Sequence, residues 1–206
     1  MAAKTSASSG GKTAADDMVK NIARHMRESI LPGDTPFKPS SLKKAAQFVF
    51  DTAREREEKR SALGMVSIAG DRRFLRIAII NDDMPFLVDS IAATISDQGL
   101  SIDRLVHPII PVKRSKAGRL TCLPHGQDAK AAPRESMIYI ETERVDARQR
   151  RELERRLRTT LGDVRAAVED WPRLQAVMAE DAERLGNDEN VALLEWFNSG
   201  MLTQLR

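Results

Sequence analysis

Residues 74 to 95, FLRIAIINDDMPFLVDSIAATI, constrain the chain most, because they carry an apolar strand straight into an amphipathic helix across a very short polar turn. Phe74 to Ile80 is apolar, rich in β-branched residues and of strand length. Asn81, Asp82 and Asp83 then offer side-chain oxygens to the free amides of a helix start, and Pro85 suits a first helical turn. Met84, Leu87, Val88, Ile91, Ala92 and Ile95 recur at helical spacing, so one face of that helix must be buried. Gly99 closes it, as a residue at ease in the left-handed conformation.

The flanking chain is read against this unit. Residues 1–13 lack any apolar run and are expected to form a disordered tail, without the apolar core of a secretory signal. Residues 14–60 read as an N-terminal helical arm. Its first helix places Met18, Ile22, Met26 and Ile30 four apart and ends at Pro32-Gly33; its second, capped by Ser40 or Ser41, runs from Leu42 to about Lys59. Beyond Ala53 the run REREEKR reads as a solvated end. The two helices either pair as a free arm or lie against the domain that follows; both arrangements fit.

Leu63 to Ala69 reads as a strand, and Gly70-Asp71 as the tight turn of a hairpin into Arg72 to Ile80. Ser101 to Lys113 is apolar, but Pro108 and Pro111 lack the amides a ladder needs, which predicts a bulged or edge strand. Residues 114–134 read as a protruding hairpin loop or mobile segment. Glu135 to Glu143 alternates, with Met137, Tyr139 and Glu141 on one side and Ser136, Ile138 and Ile140 on the other. Asp146 caps a helix whose stripe is Leu153, Leu157 and Leu161, extended by Val164 and Val168. Pro172 is expected to begin a separate helix ending at Gly186-Asn187, and Asn190 to Asn198 a last amphipathic turn or two. Met201 to Arg206 is apolar and lacks a polar fade-out, which suggests a cut end. The order strand, strand, helix, strand, strand, helix predicts an α+β fold: a ferredoxin-like antiparallel sheet with helices on one face, flanked by N- and C-terminal helices.

Few chemistries find support. The 33 basic and 30 acidic side chains nearly balance at a net charge of +3, unlike a dedicated nucleic-acid binder. The stretch Arg144 to Arg158 is interleaved with Glu152 and Glu154 and reads as a salt-bridged helical face. No apolar run reaches membrane-spanning length, and one cysteine, Cys122, fits a reducing, cytoplasmic setting. Cys122 and His125 stand close together, but His25 and His107 are the only other histidines, so no metal site is expected. His107 reads as a half-buried structural histidine. No glycine-rich phosphate loop, zinc-protease helix or nucleophile elbow occurs, so neither catalytic nor cofactor-binding residues are expected in this stretch. The candidate site is the junction Asn81, Asp82, Asp83, Met84, Pro85 and Phe86, with helix capping as its first reading and a ligand or interface loop as its second.

Several runs resemble the N-terminal region of the large bacterial NAD-specific glutamate dehydrogenases: INDDMPFLVDS at 80–90, LVHPIIPV at 105–112, ESMIYIE at 135–141 and DVRAAVEDW at 163–171. Glu189 to Leu205 is similar to the segment leading to that family's next domain. The resemblance covers residues 40–206 and implies a first ACT-like module, at 61–168, followed by a helical segment, 169–206, that leads to an absent downstream domain. It implies a parent that deaminates L-glutamate to 2-oxoglutarate and ammonia with NAD, the dehydrogenase portion lying far downstream. Its catalytic lysine and dinucleotide loop have no counterpart here, so the implied role is regulation or assembly. The implied partners are downstream domains, other subunits through Leu194, Phe197 and Leu202, and a small amino-acid effector. The alternative is a stand-alone ACT-type amino-acid-binding regulator. Many ACT modules have glycine after the proline of the strand-helix turn; Phe86 stands there, where its ring would crowd a ligand. A strand after the second helix is also missing, and the Leu63 to Ala69 strand is expected at a sheet edge instead.

Overall fold

In the computed structural model, which describes residues 9–69, 72–185 and 189–201, the two longest strands form the middle of one sheet. β2 (Phe74–Asp82) and β7 (Arg134–Glu143) pair antiparallel, from Phe74 opposite Glu143 to Asp82 opposite Glu135. β1 (Ala62–Ile68) pairs with the outer side of β2, as the hairpin reading requires, and its expected Gly70-Asp71 turn lies outside the described residues. β3 (Ile102–Val106) and β4 (Ile109–Pro111) pair with the outer side of β7. The strand order is β1-β2-β7-β3, antiparallel throughout. In a ferredoxin-like sheet, the strand after the second helix lies beside the first strand. Here β1, from before the first helix, holds that edge position.

The prolines act as their chemistry dictates. Val106 opposite Tyr139 and Ile109 opposite Ser136 share one register, so β3 and β4 are a single edge strand interrupted at His107-Pro108. Pro108 has no amide to give, yet its carbonyl still accepts from the Met137 amide at 2.9 Å. A register shift between Ile102 and Arg104 supplies the bulge.

Alternation along β2 and β7 divides the core in two. Leu75, Ile77, Ile79, Ile138 and Ile140 face α3 (Leu87–Ser96) and α5 (Ala147–Leu185), which contribute Leu87, Ile91, Ile95, Leu153, Leu157 and Leu161. Ala78, Ile80, Met137 and Tyr139 face the opposite way, under α1 (Ser9–Glu28) and α2 (Pro39–Ala53), through Ile22, Met26, Val49 and Phe50. The ferredoxin-like helix pair thus takes one face, and the N-terminal helices close the other rather than standing free.

Several boundaries differ from expectation. α1 starts at Ser9, inside the stretch expected to be disordered, because a helix anchored by Val19, Ile22 and Met26 extends at little cost once nucleated; residues 1–8 lie outside the described residues. α2 starts with Pro39, whose fixed φ suits a first helical position, and no Ser40 or Ser41 cap forms. It stops at Ala53, its last buried residue, rather than near Lys59.

The 114–134 segment does not protrude. β5 (Lys113–Arg114), β6 (Leu120–Cys122) and α4 (Gln127–Ala131) fold back so that Leu120 and Leu123 join the α1–α2 core. Gly118, at φ +75°, lies so close to α2's end that a Cβ there would stand 2.2 Å from the Arg56 carbonyl oxygen. The Arg56 amide donates to the Gly118 carbonyl at 3.1 Å, and the Leu120 amide to that of Arg54 at 2.9 Å.

α5 runs unbroken through Pro172, so the expected second helix is its continuation and the boundary expected after residue 168 falls inside it. Proline removes one helical hydrogen bond; packing against the sheet before it and against α6 (Glu189–Trp196) after it holds both halves in line. A π-helical turn, Phe197–Met201, follows α6, and the side chain of Asn198 donates to the Gln175 carbonyl on α5 at 3.2 Å. The expected helix end at Gly186-Asn187 and the apolar end beyond Met201 lie outside the described residues.

Candidate functional site

The register between β2 and β7 sets two carboxylates, Asp82 and Glu135, directly opposite one another. Like charges in that position repel. Arg56 resolves the conflict: its Nη2 donates to Asp82 Oδ1 at 2.6 Å and to Glu135 Oε1 at 2.8 Å, and its Nε donates to Glu135 at 3.1 Å. Arg114 of β5 grips Glu135 from the other side with a two-pronged contact, Nε to Oε1 at 2.7 Å and Nη2 to Oε2 at 2.8 Å. On α5, Arg165 donates from Nη2 to Asp82 Oδ2 at 2.8 Å and to Asn81 Oδ1 at 2.7 Å. The result is an alternating chain, Arg165–Asp82–Arg56–Glu135–Arg114, that clasps five parts of the fold. Glu135 is 1% exposed and Arg56 8%, so the pair they form is shielded from solvent and salt.

The electrostatics follow from that arrangement. Burial disfavours charge on Asp82, but hydrogen bonds from Arg56 and Arg165 outweigh it and hold the carboxyl below its ordinary range. Burial likewise opposes charge on Arg56, and Asp82 and Glu135 more than compensate, raising its pKa.

The junction Asn81 to Phe86 is therefore occupied by the chain's own groups. Asn81 is fully buried and accepts from Ser61 Oγ at 2.9 Å as well as from Arg165, while its Nδ2 has no partner among the described residues. Asp83 accepts from Ser136 Oγ at 3.1 Å, and His107 Nε2 lies 2.9 Å from that same hydroxyl. With the serine proton committed to Asp83, His107 is the donor. Burial lowers the His107 pKa against the opposing pull of Asp83.

None of the three polar side chains caps α3. Its N-cap is Phe86, at φ +68° and ψ −4°, without a side-chain cap bond. Arg56, Arg165 and Ser136 outcompete the helix amides for those oxygens. Pro85 and Phe86 instead form the turn into the helix, with Phe86 at a positive φ that favours glycine. Met84 is partly buried against the α3–α5 core, and the Phe86 ring is 47% exposed.

Other singled-out residues serve packing and surface pairing. Asp146 caps α5, accepting from the amides of Arg148 and Gln149 at 2.7 and 2.8 Å, while Gln149 Oε1 accepts from the Asp146 amide at 3.1 Å; this is a full capping box. Arg155 and Arg156 both bind Glu152 and pull its carboxyl down to about 2. Cys122 is exposed, and His125 accepts from Asn21 on α1 at 2.9 Å. His25 lies nearby; burial, Arg24 and His125 lower its pKa against the pull of Glu28. Among the described residues no group of three or more His, Cys, Asp or Glu side chains is arranged for a metal ion. No described helix is long and apolar enough to cross a membrane.

Of the expected contact residues, Leu194 and Phe197 are half-buried and Leu202 lies outside the described residues; Leu193 and Trp196 are exposed instead. A groove of about 580 Å³ separates α1 from α2, with Val19, Ala23 and Leu42 inside and Lys20, Arg24, Arg27 and Lys43 around it.

Comparison with known proteins identifies the matched region. The family model described as glutamate dehydrogenase, ACT1 domain, matches residues 24–157. The NAD-specific glutamate dehydrogenase of Pseudomonas aeruginosa is 35% identical over 112 residues, covering 53% of this chain and 7% of that protein. That of Halomonas elongata is 34% identical over 112 residues, with the same coverage of 53% and 7%. The chain thus spans about 7% of the length of these curated relatives.

Proposed function

The chain belongs to the glutamate dehydrogenase ACT1 domain family, and from that premise we propose that it is the N-terminal regulatory and assembly module of a much longer, cytoplasmic NAD-dependent glutamate dehydrogenase. In this reading the parent oxidises L-glutamate with NAD to 2-oxoglutarate and ammonia, in glutamate catabolism. The turnover and the NAD site belong to regions outside this stretch, and the module acts through contacts with those regions and with other subunits.

The observation that carries the proposal is the match over residues 24–157, which takes in the whole sheet, α2, α3 and the start of α5. The carboxylates of the strand-helix junction and the Asn81 side-chain oxygen are committed within the fold, which favours assembly over amino-acid sensing. Exposed Val177, Leu185, Leu193 and Trp196 offer apolar area for the remainder of the parent.

The test is removal of residues 1–206 from the parent enzyme, followed by oligomer mass and initial rates with glutamate and NAD. The expected result is residual turnover with altered assembly or altered response to effectors. Unchanged mass and unchanged regulation would sink the proposal. Calorimetric titration of the 206-residue chain with single amino acids separates this reading from a stand-alone sensor. No saturable heat is expected from the natural chain. Binding by the Phe86→Gly variant alone would identify the ring as the obstruction.

A further inference from the structure

The clasp ends at Arg165, and on that side it borders a second feature. A pocket of about 220 Å³ lies between the turn after α2 and the middle of α5, lined by Lys59, Arg60, Ser61, Arg158, Leu161, Gly162 and Arg165. Four of these seven side chains are cationic and none is acidic. We propose that this pocket binds a phosphate group, held by guanidinium and ammonium groups converging from the 59–61 turn and from α5.

Three observations support this assignment. The volume is below the roughly 300–1,000 Å³ typical of drug-sized ligand sites and suits one small hydrated anion. The acidic partners lie outside the lining: Arg60 pairs with Glu57 at 3.2 Å, Arg158 with Glu154 at 2.8 Å, and Lys59 and Arg165 each reach Glu169 at 3.8 Å, while Arg165 keeps its clasp partner Asp82 at 2.8 Å. Most of these contacts are exposed or long and individually weak, so a doubly charged tetrahedral anion facing several donors at once can displace them. Finally, Gly162 lies inside the long helix α5, where alanine would be more stable, yet among the described residues no atom beyond its own stretch of helix stands within 4 Å of the place a Cβ would take. The open space in front of that glycine belongs to the pocket. Arg165 and Ser61 are held at the rim by their shared acceptor Asn81.

The experiment is calorimetric and phosphorus-NMR titration of the 206-residue chain with inorganic phosphate and, separately, with methyl phosphate, chloride holding ionic strength constant. Saturable binding on the order of 1 mM is expected. Binding of methyl phosphate as well would point to a phosphomonoester source, and binding of inorganic phosphate alone to the free ion. Gly162→Leu projects a side chain into the pocket from a position where the added Cβ itself meets no other element, and Arg158→Gln removes one donor. Each is expected to weaken binding at least tenfold while the melting temperature is not lowered. No saturable signal from either phosphate overturns the proposal, as does undiminished binding in both variants.

Discussion

Glu135 accepts hydrogen bonds from two guanidiniums at the floor of the clasp, so its loss leaves the buried Arg56 with Asp82 as its one remaining carboxylate and Arg114 without its own. Breaking a buried pair from one side costs about 3–5 kcal/mol. Glu135→Ala is expected to cost that much in urea denaturation, and a loss below about 1 kcal/mol would mean that the clasp contributes little. A second expectation concerns pH. His25 and His107 both have folded-state pKa values lowered from 6.5. The unfolded chain therefore takes up protons at these residues before the folded chain does, and stability present above pH 6.5 is lost as pH falls through the lowered values. The urea midpoint should drop between about pH 7 and about pH 5, and the double variant His25→Gln, His107→Gln should flatten that drop. An unchanged slope in the double variant would assign the pH response to other groups. Little of this was legible in the sequence. Arg56 stands in the run REREEKR, which has no apolar period, and it is buried only because the fold brings Asp82 and Glu135 to it. His107 reads as half-buried from its valine and proline neighbours alone, although its partners Ser136 and Asp83 lie far along the chain.

At the level of elements, legibility follows sequence separation. The alternation of β7, the Asp146 cap and the stripe of α5 depend on neighbours a few residues away, and each is where its pattern put it. The caps assigned to Asn81, Asp82 and Asp83 failed because distant arginines and a serine bind those oxygens more strongly than helix amides do. The 114–134 excursion reads as free because its apolar anchors are only two leucines, and its polar ones, Arg114 and the Gly118 and Leu120 backbone, follow no period. That glycine carries an expectation of its own. Gly118→Ala forces a left-handed alanine against the Arg56 carbonyl and should cost at least about 2 kcal/mol, with faster amide exchange in residues 113–122. Normal exchange there would show that the hairpin has another anchor.

For the whole molecule, the two core clusters use residues from both N-terminal helices but none beyond Val168. A chain ending at residue 172 should therefore keep its stability within about 0.5 kcal/mol, whereas one starting at residue 54 exposes Ala78, Ile80, Met137 and Tyr139 and should lose cooperative unfolding. Equal melting of the full chain and the variant starting at residue 54 would contradict the two-sided core. The unbroken course of α5 has a further consequence. Its 39 residues turn by about 100° each, so the compass bearing at which α6 leaves, relative to the sheet, is written in a residue count. One residue inserted near Pro172 would swing α6 and everything it carries a quarter-turn or more around the helix axis, while insertion of seven would return it almost to its original heading. The segment thus keeps angle as well as distance.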